Sequence, residues 1–467
     1  MRRLPLLLVL ALLGGCQNLP WRPQAAPKPE LVMPAAWRTP SVAERNMAER
    51  DWRSVFAGPE LTALIDEALA GNSDLRLAVL RIGEAQARYG VQRSQLFPSL
   101  GLNAAYQRQR QPGFGPDNVD SEAASLGLAL PSWEIDLWGR LRDLNEVARQ
   151  NLLATTDTAA AVRTSLIAQV ALAYIDLLEL DAESRVAAET TASREQSLHM
   201  VQLRFDAGVV SGVDLQQAKT SLASAEQSRA DIERRRTAAE NLLAVLVGRN
   251  PGALARATQL ADFKLPAALG AGLPSALIAR RPDLLAAERA LAATDANVEA
   301  ARKAFFPSVS ITGFLGTVSP EFSALFDEGR EAWSVSPAVS LPIFTAGRLS
   351  ANLEAVRATQ RIAAENYRLA VRNAFLEVEN ALVAYQRFRE QRLALDRQVA
   401  ADRERLRLVE LRNRNGVSSY FEVLDSQRQL FNSELAQVKT TSLTYSAVVQ
   451  LYRALGGGWD APAAPTP

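Results

Sequence analysis

The chain has one cysteine and one histidine in 467 residues. A single thiol excludes a disulfide framework and any cysteine-based metal site. A zinc or iron site built on imidazoles needs at least two, so His199 alone excludes that class too. Nucleophilic triads lose both their usual base and their cysteine variant. His199 falls at helical spacing in a long polar–apolar pattern and reads as an ordinary helix residue. Neither sign of charge is in excess, with 52 basic against 51 acidic side chains. That balance speaks against a nucleic-acid partner. With 48% hydrophobic residues the chain is not a disordered one. No clustered base, nucleophile or phosphate loop appears, so no enzyme, cofactor or metal site is expected.

Proline and glycine are missing from long windows. No proline occurs in 132–250 or 343–461, and no glycine in 140–207 or 348–415. A helix filling either glycine-free window would run roughly 100 Å at 1.5 Å per residue, against an average of about 11–12 residues in globular proteins. Ala, Leu, Arg, Glu and Gln, all good helix formers, dominate these windows. Leu166, Val170, Ala173, Leu177 and Leu180 alternate steps of four and three, as do Phe375, Val378, Leu382 and Tyr385. Return helices carry Leu215, Ala218, Leu222 and Ala225, then Leu424, Phe431, Leu435 and Val438. Such spacing keeps one seam toward a partner helix. The windows read as too charged to cross lipid. They are expected to form coiled-coil hairpins with tips near 208–214 and 416–422.

At the N-terminus, Arg2 and Arg3 precede an apolar run, Leu4 to Leu13, of signal-peptide length. It ends Leu13-Gly14-Gly15-Cys16, which resembles the bacterial lipobox. That resemblance implies cleavage before Cys16 and an N-acyl, S-diacylglycerol lipid on it, on the periplasmic side of a Gram-negative envelope. Gln17, where Asp would favour the inner membrane, leans toward the outer one. Pro20, Pro23, Pro27, Pro29, Pro34 and Pro40 then make a stiff tether.

The chain repeats itself once, with a period of 208–211 residues. Phe97-Pro98-Ser99 returns as Phe306-Pro307-Ser308, and Leu130-Pro131 as Leu341-Pro342. Gly139-Arg140-Leu141 returns as Gly347-Arg348-Leu349, and Gly208-Val209 as Gly416-Val417. The chain accordingly divides into a signal peptide 1–15, a tether 16–60, a first repeat 61–250, a linker 251–272, a second repeat 273–458 and a tail 459–467.

Each repeat also holds two alternating segments of roughly ten residues, the length of a tilted membrane strand. Leu102, Ala104 and Tyr106 alternate with Gly101, Asn103 and Ala105; Leu126, Leu128 and Leu130 alternate with Ser125, Gly127 and Ala129. Val309 and Ile311 alternate with Ser308, Ser310 and Thr312, and Trp333, Val335 and Val339 with Ser334, Ser336 and Ala338. One face is apolar and the other small and polar, as in outer-membrane barrels. Trp133 and Trp333 stand near strand ends, as belt residues or as packing. Four strands cannot close, and an open edge in lipid costs several kcal/mol per unpaired group. The chain must share a barrel, with eight strands from two copies or twelve from three. A larger barrel leaves room for a lumen, but periodicity does not choose the number.

The sequence resembles the TolC-like outer-membrane factors, most closely their OprM/NodT-like lipoprotein branch. The matching pieces include Trp133-Glu134-Ile135-Asp136-Leu137-Trp138-Gly139-Arg140, Arg280-Arg281-Pro282-Asp283-Leu284, Phe305-Phe306-Pro307-Ser308, Leu424-Asp425-Ser426-Gln427-Arg428 and Tyr452-Arg453-Ala454-Leu455-Gly456-Gly457-Gly458-Trp459. The resemblance covers nearly the whole mature chain. It implies a mainly α protein with a membrane β-barrel portion, four transmembrane strands per chain, and a homotrimer closing one 12-stranded barrel over a long coiled-coil tunnel. It implies an outer-membrane location and partnership with a periplasmic adaptor and an inner-membrane pump of the resistance-nodulation-division class. Antibiotics and other small toxic compounds would leave through the duct.

The same resemblance implies a periplasmic gate at Phe421, Asp425 and Arg428. Residues i and i+4 share a helix face, so three copies would set an apolar ring above an acidic one. Arg428 would hold the closed state by pairing with an acidic or carbonyl partner, the alternative being a surface pair with Asp425. The adaptor would touch the tips through Arg204, Gly208, Val209, Asp214, Arg412, Gly416, Val417 and Glu422. The family often has an aromatic before the tip glycine; here the second repeat has Asn413 where the first has Phe205. Two other readings stay open at this stage: a type I protein-secretion duct, and a lipid-anchored coiled-coil adaptor.

Overall fold

The structure, a computed structural model, describes residues 33–39, 47–56, 58–112, 118–264 and 270–459. The signal peptide, Cys16 and most of the tether lie outside the described residues. Helices α1 (Trp52–Val55), α2 (Pro59–Gly71) and α3 (Ser73–Ser94) lead into strands β1 (Gly101–Pro112) and β2 (Asn118–Ile135). The long hairpin α4 (Arg140–Asp206) and α5 (Gly212–Leu246) follows. The second half repeats this order with α6 (Ala276–Arg280), α7 (Pro282–Lys303), β3 (Ser308–Ser319), β4 (Glu331–Ser340), α8 (Arg348–Arg414) and α9 (Tyr420–Ala454). Both long helices run 67 residues, and both return helices 35. Among the described residues the chain forms two compact units, one of 81–155 with 286–368, the other of 33–80, 156–285 and 369–459.

The first unit holds a four-stranded antiparallel sheet in the order β1-β2-β3-β4. Its register sets Leu102 opposite Leu128, Leu128 opposite Leu315, and Leu315 opposite Trp333. One apolar row thus crosses all four strands, because alternate residues share a face. The neighbouring row is Asn103, Gly127, Gly316 and Ala332. A Cβ on Gly127 would sit 2.7 Å from the Gly316 Cα, and one on Gly316 would run into the Leu126 carbonyl. The two repeats therefore join where neither strand has a side chain. The Phe314 ring lies over Gly127, a large residue on the face expected to be small throughout. Strand β2 is 18 residues, longer than expected, because it continues past an irregularity between Leu130 and Trp133.

The second unit carries the helical core. Tyr174, Leu177, Leu178, Leu180 and Leu243 are buried with Phe56, Leu61 and Ile65. Phe263 packs edge-on against Tyr174 and Tyr445, at 6.0 and 5.3 Å between centroids. The heptad seam over 166–180 is therefore too narrow a description: Ile167, Ala171 and Ile175 are buried as well. Other elements cover α4 there on more than one side, so its composition is less charged than a two-helix seam requires. One 18-residue window of α4 reaches a mean hydropathy of 1.4, which corrects the expectation that all helical windows are too charged for lipid; 61% of it is buried inside the protein, as a core helix requires. In α9, Val423, Ser426 and Gln427 are buried around the expected Leu424, which is half-buried. Arg281 explains its motif: its guanidinium bonds Asp283 and Glu377 at 2.7 Å and the Ala454 carbonyl at 3.1 Å, tying the start of α7 to α8 and the end of α9.

Candidate functional site

The two hairpin tips are built alike. Helix α4 ends with Gly208 at φ +72° and α8 with Gly416 at φ +73°. At each, the following valine N–H donates five residues back, Val209 to the Arg204 carbonyl at 2.8 Å and Val417 to the Arg412 carbonyl at 2.9 Å. This is the Schellman closure, which needs a left-handed residue at the glycine position. Open space surrounds where a Cβ would lie on either glycine. Three residues on, Ser211 and Ser419 cap the return helices. Ser211 forms a full capping box: its Oγ accepts from the Asp214 N–H at 3.2 Å, while Asp214 Oδ2 accepts from the Ser211 N–H at 3.1 Å. Ser419 Oγ accepts from the Glu422 N–H at 3.4 Å. Asp214 thus has a structural task that spacing alone did not reveal.

The tips meet each other. Arg204 Nη1 donates to Asn413 Oδ1 at 3.5 Å, and Asn413 Nδ2 donates to the Ser418 carbonyl at 2.9 Å. Tyr420 packs against Val201, Leu215 and Ala218 of the first hairpin. Asn413 stands where the family often has an aromatic ring, and here its amide joins the two tips.

Phe421, Asp425 and Arg428 share one face of α9 and line a groove of about 870 Å³ with Val213, Gln216 and Thr220 of α5. Phe421 is 64% exposed. Asp425 is held from two sides: Arg405 Nη2 of α8 donates to its Oδ2 at 2.7 Å, and Arg428 Nη2 to its Oδ1 at 2.8 Å. The Arg405 bond, then the Arg428 bond, holds this carboxyl below the usual aspartate range. Arg428 thus makes the surface i, i+3 pair with Asp425 that stood as the alternative to a separate gate partner. Arg405 was missed, since it stands 20 residues upstream and no spacing rule links them. Arg194 was missed too. It is 7% exposed, reaches the Ser221 carbonyl at 2.8 Å and lies over the Phe431 ring at 5.7 Å.

Comparison with known proteins follows the same division. A family model described as outer membrane efflux protein matches twice, over residues 64–249 and 273–457. The chain is 38% identical to outer membrane protein OprJ of Pseudomonas aeruginosa over 462 residues, 97% of this chain and 95% of that one. It is 35% identical to the probable efflux pump outer membrane protein TtgC of Pseudomonas putida, covering 96% of this chain and 94% of that one. Among solved structures, the open state of the Neisseria gonorrhoeae MtrE outer membrane channel superposes with a TM-score of 0.84 at 35% identity, covering 93% of this chain and 97% of that one.

Proposed function

This chain belongs to the outer membrane efflux protein family, and from that premise we propose that three copies build one duct around a shared axis. The protein is an outer-membrane efflux channel extending into the periplasm, a transporter component rather than an enzyme. Each copy gives β1–β4 to a twelve-stranded barrel. The observation that carries this reading is the sheet itself: β1 and β4 have a strand neighbour on one side only among the described residues. In lipid those edges must be paired, and pairing them copy to copy closes a ring. Twelve strands leave a lumen that eight would fill, and the small row through Gly127 and Gly316 suits its wall.

Cys16 carries the lipid anchor in this reading. The paired tips around Gly208 and Gly416 receive a periplasmic adaptor, which links the duct to an inner-membrane transporter of the resistance-nodulation-division class. Small toxic compounds, antibiotics among them, pass through passively, and the transporter supplies the energy. Phe421 and Asp425 narrow the periplasmic end, and Arg405 with Arg428 holds Asp425 in the closed arrangement.

The test is complementation. A Gram-negative strain lacking its own efflux channel receives this chain with its cognate adaptor and transporter, and drug susceptibility and dye accumulation are measured. Restored resistance with lowered accumulation supports the reading. Unchanged susceptibility, with the protein present in the outer membrane, overturns it.

A further inference from the structure

The joint between the two repeats inside one chain shows how two chains join. Strands β2 and β3 run antiparallel, so the C-terminal end of β2 lies beside the N-terminal end of β3, with Ile135 opposite Val309. Just past β2, the Trp138 ring stacks on Phe306, just before β3, at 5.3 Å between centroids and 26° between planes. Trp138 Nε1 also donates to the Pro307 carbonyl at 2.7 Å. An aromatic residue leaving one strand thus clamps the Phe-Pro pair entering the next.

The Phe-Pro half of this clamp occurs twice, and the turn that carries its aromatic half recurs with Ala346 in the place of Trp138. Phe97-Pro98-Ser99 before β1 is the repeat of Phe306-Pro307-Ser308 before β3. The turn ending at Gly347 after β4 is the repeat of the turn ending at Gly139 after β2, and both glycines have φ +83°. Within one chain the second clamp cannot close, because β4 and β1 are opposite edges of the sheet. Its parts stand open: Ile343 is 91% exposed, Phe344 88% and Phe97 59%. With no aromatic at Ala346, the second turn offers a ring two residues earlier instead. Three residues before Gly139, Asp136 caps α4 by accepting from the N–H groups of Leu141 and Arg142, each at 3.0 Å. Three residues before Gly347 stands Phe344. A residue that serves the chain's own helix is thus replaced by a large apolar side chain that the chain itself leaves uncovered.

We propose that Ile343 and Phe344 of one copy pack on Phe97 and Pro98 of the next, repeating between copies the clamp that Trp138, Phe306 and Pro307 make within one. The proposal rests on the shared-barrel reading above. The strand order makes the placement follow. Successive strands alternate in direction, so antiparallel closure brings the end of β4 beside the start of the neighbour's β1. The occupant of this apolar face is a second copy, and lipid is the outcome the experiment must separate from it.

The experiment uses the full chain in outer membranes. Phe97→Cys and Phe344→Cys are combined, the membranes are oxidised, and non-reducing gels are run; Leu100→Cys with Ile343→Cys is a second pair in case the first does not fold. The expected result is covalent trimer from the paired variants and monomer from each single variant. The mass of the detergent-extracted unsubstituted protein is measured alongside. If that protein is a trimer and neither pair cross-links, lipid covers Phe344 and the proposal falls while the shared barrel stands. If the unsubstituted protein is a monomer, the shared-barrel reading falls first and the clamp falls with it.

Discussion

Arg405 on α8 donates to Asp425 on α9 at 2.7 Å, joining the two arms of the second hairpin close to its tip. Arg428 holds the other carboxylate oxygen from within α9, at 2.8 Å. The two bonds therefore differ in what they restrain. Arg428 only stiffens its own helix face, whereas Arg405 resists separation of α8 from α9. Replacing Arg405 by Ala is expected to raise open probability in planar bilayers clearly more than replacing Arg428 by Ala. Equal effects of the two would remove α8 from the gate.

Charge reversal at Asp425 addresses the acidic ring directly. Asp425→Arg is expected to lower conductance to cations and shift the reversal potential toward anion preference. Unchanged current and selectivity would show that Asp425 does not face the conducting path.

The pH response has a definite sign. Arg405 and then Arg428 favour the ionised carboxyl, so its pKa lies below the ordinary aspartate value, about 3.9. A lowered folded value means that the bonds stabilise the tip at pH values above the unfolded value and are lost as pH falls through the folded one. Selectivity is expected to hold from about pH 8 to about pH 5 and to fail only in more acidic solution. A transition centred above about pH 5 would mean that repulsion among three carboxylates outweighs the arginines.

Caps at the tips can be compared with each other. Ser211→Ala removes the Oγ that accepts from the Asp214 N–H and donates to Asp214 Oδ2, leaving only the backbone half of the capping box, and is expected to cost about 1 kcal/mol. Ser419→Ala loses a single 3.4 Å bond and should cost less. Amide exchange over 211–217 and 419–425 reads the difference, and a larger loss at Ser419 would contradict the capping account.

Glycine positions separate strain from collision. Gly208→Ala meets open space, so it pays only for the left-handed backbone, about 1–2 kcal/mol. Gly316→Ala puts a methyl group into the Leu126 carbonyl at the joint of β2 and β3. The first variant is expected to reach the membrane folded, and the second to fail to assemble its sheet. Normal assembly of Gly316→Ala in a heat-modifiability assay would show that the strands there can part.

Much of this architecture was legible because it rests on local signals. The 67-residue helices follow from windows without proline or glycine, and their ends from Gly208 and Gly416. The strand faces follow from period-two alternation, which the register through Leu102, Leu128, Leu315 and Trp333 bears out. What stayed hidden depends on contacts between segments far apart in sequence. Arg405 finds Asp425, Asn413 finds Arg204, and Phe314 covers Gly127 only once the chain has folded. The broad burial around Ile167 and Ile175 was hidden for the same reason, since a heptad template allows one partner helix and α4 has several neighbours.

The central claim is that four strands per chain close a barrel only by sharing it. The most direct measurement is the mass of the detergent-extracted protein from the outer-membrane fraction, with detergent subtracted. The account predicts three chains per particle. A single chain per particle, or recovery from the inner membrane, would contradict it.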